Sequence, residues 1–267
     1  MPIARLFELH EQAWFPQFLR EQFVDSLQMI LEVTNTYQPI ASMLRKRLEE
    51  CGSERVVDLC SGAGGPWPSL VRDFEIHGAV APEVLLTDKY PSTTKLQDVE
   101  SSTANRIHFL SDSVDATRIP EYLRGFRTLF SSFHHLNPAE ARGLLQDSVN
   151  RRQAIGVFEA PARNTLTLLS LLLIPIATWL FVPVRRPFRW SRLLWTYLIP
   201  VIPFVLFFDG VISCLRAYSV RELQEMTSAI ESSGYRWEIG EHPGGFLPVR
   251  ITYLFGCPQS VSAESAD

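Results

Sequence analysis

The residues Asp58-Leu59-Cys60-Ser61-Gly62-Ala63-Gly64-Gly65 carry an apolar run, Val56-Val57, into a glycine-rich turn, and Leu85-Leu86-Thr87-Asp88 is a second apolar run that closes on an acid. Glycines let a backbone approach a ligand closely, and an acid ending the next strand can hold two ribose hydroxyls. The pair points to a nucleoside-containing cofactor. Polar groups also end three further runs: Asp112, Ser113 and Asp115; His134 and His135; and Glu159. Imidazole titrates near neutral pH and can take a proton from a reacting group, so His135 is the candidate base, with His134 beside it. Glu159 is placed to orient a substrate or accept a proton. A plainer reading makes Asp88 a helix cap, Asp115 the cap of the turn before Pro120, and the two histidines ordinary loop residues.

The glycine spacing selects among cofactors. A nicotinamide or flavin site wants GxGxxG opening a helix that receives a pyrophosphate. Here the glycines are Gly62, Gly64 and Gly65, followed by Pro66, and Asp58 precedes the turn, where it would repel a pyrophosphate. An acid there suits a ligand with an ammonium group. S-adenosylmethionine has that group, a ribose and an adenine, and no phosphate. No Cys or His spacing suggests zinc, and nothing in the pattern requires a metal.

The elements that must position these groups read as an α/β fold. Strands are expected near Arg55–Leu59, Glu83–Asp88, Ile107–Ser111, Phe126–Ser131 and Ala154–Glu159, alternating with helical or polar stretches, which favours a parallel sheet covered on both faces. Ser219-Val220-Arg221-Glu222 is a capping box, so a helix is expected from Val220 to about Ser233, ended by Gly234. Two last strands fall near Tyr235–Gly240 and Arg250–Gly256. Residues 5–50 read as amphipathic helices punctuated by Pro16 and Pro39, either packed core or a lid over the site. The 267 residues carry a net charge of −4, which gives no reason to expect a nucleic-acid partner. The four cysteines, Cys51, Cys60, Cys214 and Cys257, are scattered, and all are expected to be reduced, packed thiols. The first 50 residues lack the apolar segment of a secretory signal, so the catalytic part is expected in the cytoplasm.

On these motifs the chain resembles the class I S-adenosylmethionine-dependent methyltransferases. Asp58 to Gly65 matches the first motif, with Cys60 where a glycine is usual; the exchange is tolerable where that φ is negative. Asp88 matches the ribose acid. Ser113-Val114-Asp115-Ala116 resembles the third motif, which meets the adenine, and Phe130-Ser131-Ser132-Phe133-His134-His135-Leu136 the fourth. The resemblance spans about residues 50–160 and 215–257. It implies a Rossmann-like, mostly parallel seven-stranded sheet in the order 3-2-1-4-5-7-6, with an antiparallel seventh strand. It also implies S-adenosyl-L-methionine as cofactor, held by Asp58, Cys60, Ser61, Gly62, Gly64, Asp88, Lys89, Asp115, Ala116 and Ser131.

An apolar insertion sets this chain apart. Leu166–Val184 and Leu193–Phe208 are apolar runs interrupted by prolines, and Arg185-Arg186-Pro187-Phe188-Arg189-Trp190-Ser191-Arg192 lies between them. As helices they reach about 28 Å and about 24 Å, against a hydrocarbon core of about 30 Å. A spanning hairpin would carry its arginines across the membrane against the positive-inside rule, so a re-entrant or interfacial hairpin is expected, its arginines on anionic headgroups. Phe208-Asp209-Gly210 then returns the chain to water. The expected organisation is a helical cap (1–50), a cofactor core (51–163), the apolar hairpin (164–208), the rest of the core (209–257) and a disordered tail (258–267). The function expected is methyl transfer to an apolar or amphipathic small molecule, such as a lipid, at the cytosolic membrane face. The alternatives are a soluble methyltransferase that dimerises through the hairpin and a non-catalytic membrane scaffold that keeps the fold.

Overall fold

The structure, a computed structural model, describes residues 6–91, 103, 105–160, 162–184, 188–246 and 249–259. Its frame is a seven-stranded sheet: β1 (Arg55–Leu59), β2 (Glu83–Thr87), β3 (Ile107–Phe109), β4 (Phe126–Phe130), β5 (Ile155–Glu159), β6 (Tyr235–Pro243) and β7 (Arg250–Pro258). The order is β3-β2-β1-β4-β5-β7-β6, the first five strands parallel and β7 antiparallel between β5 and β6. The α/β, Rossmann-like sheet expected from the motifs is therefore present. Register aligns Leu59 with Thr87 and Phe130 with Phe158, so the polar residues that follow these strands emerge along one edge.

Alternate side chains of each strand enter different cores, as the two-residue period requires. Val56, Val84, Leu86, Phe126 and Phe158 face α2 (Ala41–Glu50) and α3 (Trp67–Ile76). Val57, Leu129, Ile155, Val157 and Leu254 face α4 (Pro138–Asn150) and α8 (Val220–Ser228). A third core lies beyond the sheet. There α1 (Gln17–Val33) packs Leu19 and Phe23 against Val182 of α5 (Thr165–Val184) and Ile202, Val205 and Leu206 of α7 (Val201–Arg216). The N-terminal helix and the apolar insertion are thus one packing unit.

Several expectations change. The Ser219–Glu222 capping box is present, but α8 ends at Ser228, where the N–H groups of Ala229 and Ile230 turn to the carbonyls three residues back, Met226 O and Thr227 O, in place of the four-residue bonds of an α-helix. The second apolar run is not one helix. It breaks after α6 (Trp190–Leu198), where Pro200 forces Ile199 out of helical geometry, and α7 leaves at 70°. Asp209 does not return the chain to water, since it sits inside α7 and is 1% exposed. Arg192 is not a headgroup ligand, being buried against Asp25 with Nη2 3.2 Å from Oδ2. Arg185, Arg186 and Pro187 lie outside the described residues, as does most of the expected tail, from Ser260 onward. The four cysteines are not all thiols. Cys51, at the end of α2, and Cys257, on β7, form a disulfide across a separation of 206 residues that no local spacing announces, while Cys60 and Cys214 are free.

Candidate active site

At the β1–β2 end the chain turns sharply. Cys60, Gly62, Gly64 and Gly65 all have positive φ (57°, 56°, 102° and 54°). The condition for a tolerable exchange at Cys60, a negative φ, is therefore not met, and a side chain occupies a left-handed position that costs about 1 kcal/mol. Ser131, at the end of neighbouring β4, carries the same feature with φ 45°. Its hydroxyl lies 2.5 Å from Tyr37 Oη. Two non-glycine left-handed residues side by side at the ends of adjacent strands mark backbone held against its preference.

Asp88 is the centre of this half. Gly62 N–H donates to Oδ2 and Tyr90 N–H to Oδ1, both at 2.8 Å, so the acid that follows β2 is fixed against the glycine turn after β1. Lys89 Nζ pairs with Asp115 Oδ2 at 2.9 Å, and Val114 N–H donates to Asp88 O, which draws the loop after β3 to the same place. Asp115 Oδ1 also accepts from Thr117 N–H and its hydroxyl. Those bonds, with Lys89, hold its carboxyl near a pKa of about 2, so Asp115 caps its turn while staying partly exposed. Other expected ligands lie deeper. Ser61 is buried and stitches the turn to β2, its hydroxyl donating to Asp58 O and accepting from Thr87 N–H. Ala116 is part of the second core. Asp58 is buried beneath the turn, accepting from Thr128 Oγ1 at 2.5 Å, and burial pushes its carboxyl up to about 6.

The N-terminal helix covers this turn. A Cβ on Gly62 would stand 3.6 Å from Val24 Cγ1, and Gln28 Nε2 donates to Gly65 O at 2.7 Å. Both N-terminal helices pack as core, α1 in the third cluster with its side toward the glycine turn and α2 in the first.

The β4–β5 end is a sealed polar cluster. Glu159 Oε1 accepts from the backbone N–H groups of Ser132 and Phe133, and Oε2 lies 2.5 Å from His134 Nδ1. Both carboxylate oxygens are thus engaged, and Glu159 holds the histidine rather than facing an open cleft. Burial alone would depress the His134 imidazole, but Glu159 and Glu8 outweigh it and raise the pKa to about 10. His135 Nδ1 lies 2.5 Å from Glu11 Oε1, and Arg216 Nη1 donates to Glu11 Oε2 at 2.9 Å. Burial opposes ionisation of Glu11, yet His135 and Arg216 hold it down to about 2. Glu8, 1% exposed, stays well below the usual carboxylate range for the same reason, since His135, His134 and His10 offset its desolvation.

The sequence reading missed Glu8, His10, Glu11, Asp209 and Ser213, which complete this cluster. Asp209 accepts from the N–H groups of Leu9 and His10 and from His10 Nδ1 (2.7, 3.1 and 2.8 Å), and Ser213 Oγ donates to Glu8 Oε1 at 2.9 Å. A signal was available. Asp209, Ser213 and Arg216 recur at helical spacing within an otherwise apolar helix, and such a lone polar stripe is costly unless it meets partners.

No family model matches the sequence, and no curated protein matches it. Solved structures do share the fold. One is an O-methyltransferase family 2 protein from Planctomyces limnophilus in complex with apigenin (TM-score 0.52, 10% identity, covering 94% of this chain and 64% of that one). Others are human N-acetylserotonin methyltransferase in complex with SAM (0.50, 13%, 90% and 56%) and an O-methyltransferase family protein from Burkholderia thailandensis (0.50, 14%, 91% and 60%). The chain thus spans between 56% and 64% of the lengths of these three structures.

Proposed function

We propose that this chain transfers a methyl group from S-adenosylmethionine to a small-molecule acceptor. The observation that carries the reading is the pairing of Asp88 with Gly62, which sets a ribose-binding acid against a glycine turn at the edge of a parallel sheet. The donor set fits the cofactor's charge. Asp58, Asp88 and Asp115 supply carboxylates where a dinucleotide would need phosphate-binding donors, and a sulfonium-bearing amino acid is cationic. In this reading Asp88 takes the ribose, the Asp115–Ala116 segment the adenine, the turn from Cys60 to Gly64 the amino-acid end with Asp58 beneath it, and Lys89 and Ser131 flank the cleft. When bound, the cofactor supplies an electrophilic methyl, and the protein's task is to align the acceptor with it and exclude water.

The acceptor side is the His134–His135–Glu159 cluster. Glu159 and Glu8 raise the His134 imidazole to about 10, which makes it a poor proton acceptor, so the candidate base in this reading is His135, whose Nδ1 meets Glu11. The reading extends to an amphipathic acceptor met at a membrane face. Exposed Leu169, Leu172, Trp179 and Leu180 of α5, Trp190 and Leu198 of α6, and Phe7, Trp14 and Phe18 of the N-terminal segment support it. Phe18 packs on Trp195 with ring centres 5.5 Å apart, which joins the N-terminal and inserted apolar surfaces. α5 is long and apolar enough to cross a bilayer, and Arg185, Arg186 and Arg189 follow it in sequence, where anionic headgroups would attract them.

The test is transfer of labelled methyl from S-adenosylmethionine into a membrane lipid extract, with flotation on anionic vesicles alongside. Label in the organic phase that disappears in Asp88→Ala supports the reading. A folded protein that transfers nothing to lipid or aqueous extracts overturns it. Transfer only to aqueous acceptors, without flotation, removes the membrane part alone.

A further inference from the structure

We propose that Glu8, His134 and His135 form a binding site for one divalent transition-metal ion of the zinc class. The first ground is an orphaned nitrogen. His134 is 3% exposed, and its Nε2 has no hydrogen-bond partner; the nearest acceptor, Glu8 Oε1, is 3.5 Å away. A sealed imidazole nitrogen whose nearest acceptor is a carboxylate oxygen 3.5 Å away is poorly satisfied, and a metal ion that replaces the Nε2 proton can bridge the two.

The second ground is the spacing. Glu8 Oε1 to His134 Nε2 is 3.5 Å, and Glu8 Oε2 to His135 Nδ1 is 3.8 Å, while ligand atoms of all three residues lie within 4.8 Å of one another. These separations are long for hydrogen bonds. They are close to the spacing of about 3.3 Å between neighbouring ligands around a tetrahedral ion bound at about 2.0–2.1 Å. Two imidazoles and one carboxylate are a donor set that zinc accepts with a position left open.

The third ground is support behind the ligands. His134 presents Nε2 because Nδ1 is held by Glu159, itself fixed by two backbone N–H groups. A carboxylate behind a histidine is the arrangement that orients and strengthens a metal ligand. The local charge agrees: Glu8, Glu11, Glu159 and Asp209 surround the site, and Arg216 is the guanidinium that faces them. Binding requires the Glu11 carboxylate to release His135 Nδ1, and Arg216, already on Glu11 Oε2, gives it another partner. With an ion in place the two imidazoles hold metal rather than move a proton, and the ion lies at the acceptor side of the proposed cleft.

The test is made on the full chain without cofactor, so its outcome is independent of the methyl-transfer reading. Chelator-treated protein is titrated with Zn2+ by calorimetry and with Co2+ by visible absorption. Expected is one ion per chain, d–d bands without a thiolate charge-transfer band, and affinity lowered at least tenfold in Glu8→Gln and in His134→Ala. His77→Ala and His242→Ala, remote surface changes, leave binding unaltered. Absence of saturable binding by the wild-type chain overturns the proposal, whatever the variants do. So does binding that survives in Glu8→Gln and His134→Ala, or a thiolate band, which would place the ion on Cys60 or Cys214.

Discussion

The two ends of the candidate site hold their polar groups in opposite ways. At the β1–β3 end, Asp88, Lys89 and Asp115 are partly or largely exposed, and their partners sit on the turns that follow neighbouring strands. At the β4–β5 end, Glu8, His134, Glu159 and Asp209 are sealed, and several partners come from the far end of the chain, as with Leu9 and Asp209, 200 residues apart. The first end stays open to solvent. The second is assembled only when the N-terminal segment and α7 close over the strand ends, so its geometry is tied to folding of the third core.

The strongest way to break that contrast is Asp209→Ala. It strips three donors of their acceptor, two of them backbone groups, and should cost about 3 kcal/mol in urea unfolding while freeing the segment before α1 for limited proteolysis. A loss below about 0.5 kcal/mol would mean that the sealed end is not held by this carboxylate.

Next is Asp58→Asn, where the sign depends on pH. The carboxyl titrates near 6 in the folded chain against an ordinary value of 3.8. Below 3.8 both states are protonated and nothing is lost; as pH rises through 6 the folded state must carry a buried charge, a penalty of about 2–3 kcal/mol. Asparagine can still accept from Thr128 and does not titrate. The variant should match the wild type near pH 3.5 and exceed it by about 2 kcal/mol at pH 8 in thermal melts. An equal gain at both pH values would refute the buried-charge account.

Cys60→Gly should stabilise the chain by about 1 kcal/mol, because glycine adopts a φ of 57° without steric cost. Destabilisation would show that the side chain's packing outweighs the backbone strain. Smallest is Asp115→Ala, expected to weaken cofactor binding only about threefold, since Thr117 and Lys89 already engage the carboxylate. A loss as large as that from Asp88→Ala would make the two acids equal partners.

The same contrast explains what the sequence reveals. Val56 to Gly65 and Leu85 to Asp88 are contiguous segments whose type and order announce strand, turn and acid, and the sheet order follows from the resemblance they carry. The φ of Cys60 is not legible in the sequence, because the turn's geometry, not propensity, decides it. Glu8 and Asp209 escape because their meaning arises from each other, across most of the chain, and hydropathy assigns Asp209 to the water it never meets. Cys51 and Cys257 escape for the same reason: α2 and β7 become neighbours only in the folded protein.

The central claim, that the β1–β2 turn and Asp88 hold S-adenosylmethionine, is tested most directly by calorimetric titration of the wild-type chain and Asp88→Ala with S-adenosylmethionine and, separately, with NAD. The account predicts saturable one-to-one binding of S-adenosylmethionine, none of NAD, and at least a hundredfold loss in the variant, about 3 kcal/mol. Saturable NAD binding, or S-adenosylmethionine affinity untouched by Asp88→Ala in a folded protein, would contradict it.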